Sequence, residues 1–117
     1  MITMYGIPNC DTIKKAKKWL EANGVDYEFH NYKKQGISKA KLKDWCKQVD
    51  WEILLNRRGT TWRKLDDATK EGINKTSAID IMAGETSIIK RPVIETGDKI
   101  IVGFSEDEYK ASFKQKR

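Results

Sequence analysis

The chain has two cysteines, two prolines and a single histidine among its 117 residues, and each scarcity excludes something. Cys10 and Cys46 stand far apart, and two thiols so spaced in a reducing compartment are expected to be free rather than joined. With His30 as the one imidazole, no familiar zinc spacing can be assembled, so no structural metal is expected. Proline and glycine form no linker-like run, and neither a repeat nor a low-complexity stretch appears, so the sequence offers no boundary for a second domain. Long apolar runs are missing too, and no segment is expected to span a bilayer. Met1 to Cys10 lacks the basic stretch and apolar core of a signal peptide, which makes the cytoplasm the expected location.

What is present fits one α/β domain over residues 1–117. A chain of this length buries roughly two-thirds of its unfolded surface without staples or metals. Its 23 basic and 17 acidic side chains leave a net charge of +6, a surplus that raises the local concentration of anions. Nucleic acid, an anionic small substrate and a merely solvated lysine-rich surface all remain open on charge alone. The lysines are interleaved with acids and no long run of like charge occurs, so a nucleic-acid tail is not indicated.

Residues Ile2 to Tyr5 are apolar and β-prone, and Gly6-Ile7-Pro8-Asn9 stops them. From Asp11 to Asn23, Ile13, Ala16, Trp19 and Leu20 form a helical stripe among lysines, with Asn23-Gly24 as a C-terminal stop. Tyr27 to Tyr32 alternates as a second strand does, so the opening predicts a right-handed βαβ unit with a parallel pair. The middle reads as a helical insertion over about 36–87. Ser38 is a candidate N-cap there, and Leu42, Trp45, Cys46 and Val49 recur at helical spacing. An apolar segment Trp51 to Leu55, a polar stretch Asn56 to Thr61, a short helix from Trp62 and another over Ser77 to Ala83 follow. Pro92 to Glu95 and Lys99 to Gly103 flank Thr96-Gly97-Asp98 as a hairpin. Ser105-Glu106-Asp107-Glu108 then matches a capping box ahead of a helix whose apolar side is Tyr109 and Phe113. The predicted architecture is βαβ then ββα with a mixed sheet.

Cys10 follows a strand-ending turn and immediately precedes a helix. Outward-facing N–H groups and the helix dipole favour thiolate over thiol there, so its pKa is expected to fall below that of a free cysteine. Such a thiolate attacks disulfides, arsenate and other soft electrophiles. Ile13 stands where a Cys-x-x-Cys motif would carry its second thiol, and a lone thiolate cannot resolve its own mixed disulfide. Cys46 shares an apolar stripe and is expected to pack in the core. Arg91 precedes Pro92, in a bond that can be cis at modest cost. A guanidinium beside the thiolate would lower its pKa and hold an oxyanion bidentately; a solvated arginine at a strand end is the alternative. Arg57, Arg58 and Arg63 surround Gly59-Thr60-Thr61, where one guanidinium could fold over the Cys10 turn or all could lie on an exposed loop.

The strings Tyr5-Gly6-Ile7-Pro8-Asn9-Cys10-Asp11-Thr12, Leu54-Leu55-Asn56-Arg57-Arg58-Gly59-Thr60-Thr61-Trp62-Arg63-Lys64-Leu65 and Ile89-Lys90-Arg91-Pro92 resemble the ArsC/Spx family, and within it the YffB branch. The resemblance covers nearly the whole chain, in order and at compatible spacing. It implies a thioredoxin-like fold with a helical insertion between the halves, Cys10 as nucleophile, Arg91 as anion clamp and a cis Pro92. In the family's arsenate reductases the thiolate attacks arsenate, glutathione attacks the adduct, and glutaredoxin clears the mixed disulfide. Glutathione is thus the implied co-substrate, with no bound cofactor, and glutaredoxin the implied partner. Asn9, Asp11, Thr12, Arg57 and Pro92 stand in the matched motifs as expected substrate-binding residues. Those reductases carry an arginine directly after the Leu-Leu pair, where this chain has Asn56, so Arg58, beside the turn glycine, is the expected second clamp. They carry a third arginine after the hairpin, where this chain reads Val102-Gly103-Phe104. A missing guanidinium removes a contact of about 1.5–3 kcal/mol, enough to lower arsenate affinity about tenfold or more. The expected activity is therefore a glutathione/glutaredoxin-coupled thiol reductase acting on a mixed disulfide or small oxyanion. The Spx branch implies a non-enzymatic alternative, a regulator binding RNA polymerase or another protein, whose switch uses a Cys-x-x-Cys disulfide that Ile13 precludes.

Overall fold

A computed structural model describes residues 2–8, 10–97 and 99–113 of the chain. Its contacts divide into two compact units, Met1–Asn31 with Arg91–Arg117, and Tyr32–Lys90.

The first unit is built on a four-stranded sheet: β1 (Thr3–Gly6), β2 (Glu28–Asn31), β3 (Val93–Glu95) and β4 (Ile100–Val102), in spatial order β2-β1-β3-β4. β1 and β2 run parallel, with Tyr5 opposite His30. β1 and β3 run antiparallel, with Tyr5 opposite Val93, and β3–β4 is an antiparallel hairpin. The βαβ half is joined by helix α1 (Asp11–Ala22), which buries Ile13, Ala16 and Leu20 as their spacing predicts. Asn23 ends it. Gly24, at φ 69°, adopts the left-handed conformation that L side chains resist, and its N–H bonds Glu21 O while that of Val25 bonds Leu20 O. Those two bonds are the paired reach-back of a Schellman stop. In the ββα half, Ser105 accepts the Glu108 N–H at 3.3 Å and starts α8 (Glu106–Ser112). Three acids in its first turn complement the helix dipole.

One cluster holds this unit together: Met4, Ile13, Ala16, Leu20, Ile94, Ile101 and Tyr109 are buried, with Trp19, Phe29, Phe104 and Phe113 packed against them. Tyr109 makes edge-on contacts with Trp19, Phe104 and Phe113, and its hydroxyl donates to Gly103 O at 2.9 Å. This is the mixed βαβ–ββα arrangement of a thioredoxin-like fold. Strand ends differ slightly from the sequence reading: β1 begins at Thr3, and Tyr32 leaves the second strand to open a helix. The hairpin turn expected at Thr96-Gly97-Asp98 includes Asp98, which lies outside the described residues.

The second unit is helical: α2 (Tyr32–Gln35), α3 (Lys39–Cys46), α4 (Trp51–Leu54), α5 (Thr60–Arg63), α6 (Asp67–Glu71) and α7 (Lys75–Gly84), then a 3-10 turn over Thr86–Ile88. Ser38 caps α3 by accepting the Lys41 N–H at 3.1 Å, as read from the sequence. α7 begins two residues before the expected Ser77, because Asn74 and Ser77 cap each other reciprocally and leave Lys75 already inside the helix. Likewise the helix expected from Trp62 starts at Thr60, next to its Gly59 cap. α6, which Asp66 caps, is a turn the sequence reading did not separate. Leu42, Trp45, Leu54, Leu55, Ala78, Ile79, Met82, Ile88 and Ile89 are buried. Among the described residues no helix is long and apolar enough to cross a membrane.

Candidate active site

The antiparallel pairing of β1 with β3 puts the end of one strand beside the start of the other. Gly6 leads out of β1 toward Cys10, and Arg91-Pro92 leads into β3 at the same edge, so the topology alone makes the two segments neighbours. The approach of α1 to β1 needs Gly6: a Cβ there would overlap Ile13 Cδ1 and lie 3.1 Å from Ile13 Cγ1. The Arg91–Pro92 bond is cis, as the resemblance implies. Pro92 is buried, and its carbonyl accepts the Gly103 N–H at 2.8 Å, which ties the segment to the end of β4.

Cys10 is the N-cap residue of α1, extended at φ −135° and ψ 129°, and its carbonyl accepts the Lys14 N–H at 3.0 Å. The thiol is half-buried against the core cluster. Burial pushes it up, but the Ile13 N–H, a hydrogen bond donated by the Arg91 guanidinium, the Thr12 N–H and the Arg91 charge pull the other way and prevail. The net pKa lies below that of an ordinary thiol. The side chain makes no full capping hydrogen bond, so the Thr12 and Ile13 amides act on sulfur as oriented dipoles rather than as caps.

Of the residues singled out from the sequence, Cys10, Asp11, Thr12, Arg91 and Pro92 belong to this one unit. Asp11 is exposed at the first position of α1 and Thr12 follows it half-buried. Asn9 lies outside the described residues. Arg57 and Arg58 belong to the helical unit and are exposed there. Arg57 pairs with Glu52 at 3.4 Å and lies over the rings of Trp62 and Trp51, 5.4 and 6.0 Å from their centroids. The Arg58 N–H donates to Asn56 Oδ1 at 3.1 Å. His30 stays a strand residue, its ring 4.6 Å from that of Tyr5. Cys46 ends α3 half-buried; burial pushes its thiol up, with the Lys75 charge pulling down and that of Asp50 adding to the rise. Among the described residues no group of three or more histidines, cysteines and carboxylates could hold a metal ion.

Two features escaped the sequence reading. Ile13 matters through its main-chain N–H as well as through being no cysteine, and the N-cap position of Cys10 was the available signal. The second is the pairing of the Leu54–Asn56 segment with Ile88–Lys90: Leu55 bridges Ile89, Asn56 N–H donates to Ile88 O and Lys90 N–H to Leu54 O, both at 2.8 Å. Two of the motifs noticed in the sequence are thus one antiparallel clasp, and its second strand continues along the chain into Arg91.

A model of the ArsC family matches residues 5–112. Among solved structures, the YffB protein superposes with a TM-score of 0.92 at 47% identity, covering 95% of this chain and 97% of its own. An arsenate reductase (ArsC) related protein from Brucella melitensis gives 0.78 at 48% identity, covering 97% of this chain and 95% of its own. The global transcriptional regulator Spx of Streptococcus pyogenes is 29% identical over 113 residues, 95% of this chain and 84% of its own length.

Proposed function

The chain belongs to the ArsC family, and we propose that it is a single-cysteine thiol reductase that draws its electrons from glutathione. The observation that carries this reading is the lowered pKa of Cys10, whose sulfur receives the Arg91 hydrogen bond at the start of α1. Cys10 thiolate attacks the glutathionyl sulfur of a mixed disulfide. The old S–S bond breaks, the substrate thiol departs and takes up a proton, and Cys10 carries the glutathionyl group. A free glutathione thiolate then attacks that sulfur, releasing oxidised glutathione and regenerating Cys10 thiolate, so each turnover consumes one free glutathione and the other half of the oxidised glutathione comes from the substrate. A glutaredoxin can take the free glutathione's place. Arg91 stabilises the thiolate as attacker and as leaving group. Arsenate is the narrower alternative at the same thiol. Asn56 and Val102-Gly103-Phe104 stand where the family's reductases have arginines, and this favours the disulfide.

The test is turnover of a small glutathione mixed disulfide, with arsenate assayed beside it and the oxidised protein mapped by mass spectrometry. A single glutathionyl group on Cys10 is expected, together with loss of turnover in Cys10→Ser. Turnover surviving that substitution would refute the assignment. The likeness to Spx favours a second reading, partner binding without catalysis, to RNA polymerase or another protein. Partner retention by Cys10→Ser, with no turnover on any disulfide or oxyanion, would decide for it.

A further inference from the structure

Gly103 is held from both sides. Its N–H donates to Pro92 O at 2.8 Å, and its carbonyl accepts the Tyr109 hydroxyl at 2.9 Å. The first bond adds a rung to the β3–β4 hairpin beyond the pairing of Val93 with Val102, and it ends one residue from Arg91. The second reaches back from α8. Between the two peptide groups Gly103 stands at φ 85°, a conformation that glycine adopts at little cost and leaves as easily. Its own torsions therefore do not fix how the two groups are aimed. Their partners do.

Tyr109 is a costly place to keep a hydroxyl. The residue is completely buried, and the rings of Trp19, Phe104 and Phe113 meet it edge-on. A phenylalanine would fill the same apolar volume without bringing a polar atom into it, and a buried hydroxyl is unfavourable unless it is paired. Burial, and then the Glu108 charge, push the phenol above its ordinary pKa, so it remains a donor over the range in which Cys10 titrates. Among the described residues its hydrogen-bond partner is the Gly103 carbonyl.

From that bond the contacts run on to the nucleophile. The Gly103 N–H holds the carbonyl of buried Pro92, Pro92 directly follows Arg91, and the Arg91 guanidinium donates to the Cys10 sulfur. Arg91 lies beyond the last pair that β3 shares with β1, Val93 opposite Tyr5, so within this unit the rung at Gly103 steadies the main chain that carries the guanidinium. We propose that Tyr109 is a positioning residue for Cys10: through Gly103 and Pro92, its hydroxyl holds the Arg91 guanidinium against the sulfur. This rests on the Arg91–Cys10 contact behind the reductase reading above. A hydroxyl that only sealed the core would cost stability when removed and leave the thiolate as it was.

The experiment follows the pH profile of Cys10 alkylation in the full chain by peptide mass spectrometry. Tyr109→Phe removes the hydroxyl and keeps the ring. Gly103→Ala disturbs the same link independently, since an added Cβ meets nothing within 4 Å yet φ 85° disfavours any L side chain. A neighbouring opposite charge moves a titrating group by roughly 1–3 units, so a loosened guanidinium should raise the midpoint by about half a unit in each variant, less than Arg91→Gln raises it. Neither substitution should move the midpoint further in an Arg91→Gln background, where the group through which they act is gone. Phe113→Leu thins the rings around Tyr109, keeps the hydroxyl, and should leave the midpoint in place. Urea unfolding shows which variants are folded, and either Tyr109→Phe or Gly103→Ala decides alone. An unmoved midpoint in the folded variant, an equal rise in the Arg91→Gln background, or a rise of the same size in Phe113→Leu would overturn the positioning role while leaving the reductase reading intact. If Arg91→Gln itself leaves the midpoint unmoved, the contact beneath both fails and they fall together.

Discussion

Replacing Gly6 by alanine tests the packing on which the Cys10 geometry rests. The added Cβ would overlap Ile13 Cδ1, stand 3.1 Å from Ile13 Cγ1 and reach 3.7 Å from Phe29 Cε1. Ile13 is completely buried among Met4, Ala16, Leu20, Ile94 and Ile101, so its methyl has nowhere to go, and α1 must move off the sheet or the side chain must leave its rotamer. Overpacking of this kind costs about 1–3 kcal/mol. With an unfolding entropy of about 2.1 cal/mol/K per residue, 117 residues convert that to a fall in Tm of about 4–12 °C.

The companion variant is Ile13→Val, which deletes the overlapping Cδ1 and alone costs about 0.5–1.5 kcal/mol. If the overlap is the cause, Gly6→Ala/Ile13→Val is no less stable than Ile13→Val by itself, and the double-mutant cycle shows a favourable coupling equal to the Gly6→Ala cost, about 1–3 kcal/mol. Urea unfolding of the four proteins measures it. The same displacement carries the Ile13 N–H away from sulfur, so the Cys10 pKa should rise in Gly6→Ala and return in the double variant, as read by the pH profile of alkylation. A Gly6→Ala protein within about 0.5 kcal/mol of the parent, or costs that simply add, would refute the reasoning.

Arg91→Gln removes both the charge and the charge-assisted hydrogen bond at Cys10, so the alkylation profile should move to higher pH; an unmoved profile would show that the guanidinium does not hold the thiolate. Because the folded Cys10 pKa lies below the reference 9.0, its stabilisation is complete above the unfolded value and is lost as pH falls through the folded one. The stability of the parent relative to Cys10→Ser should therefore grow as pH rises from neutral toward 9, and a flat difference would contradict the lowered pKa. Burial holds the Cys46 thiol above its ordinary value, so limiting iodoacetamide at neutral pH should label Cys10 well ahead of Cys46. Equal labelling in a peptide map would overturn that ranking.

The sheet, α1 and the Cys10 position were readable because each rests on local chemistry: a period-two strand, a stripe at Ile13, Ala16 and Leu20, and a stop at Asn23-Gly24. The convergence of Arg91 on Cys10 was not readable from local chemistry, only from the family resemblance, since residues eighty-one positions apart meet only through the antiparallel β1–β3 pairing. Nor was the meaning of Asn56, which as sequence was merely an arginine missing from an expected place. Its Oδ1 accepts the Arg58 N–H at 3.1 Å, and its Nδ2 lies 3.0 Å from where a Gly59 Cβ would stand. Asn56 thus folds the loop ahead of α5 with its own side chain, and Gly59 is small to make room for it. Restoring the arginine by Asn56→Arg removes the acceptor and crowds Gly59, for an expected loss of about 0.5–1.5 kcal/mol in urea unfolding. Asn56→Asp keeps the oxygen and should stay within about 0.5 kcal/mol of the parent. An Asn56→Arg protein as stable as the parent would mean that the turn does not depend on this side chain. Otherwise this loop cannot take up an arginine at position 56 without loosening itself, a physical reason for the asparagine there.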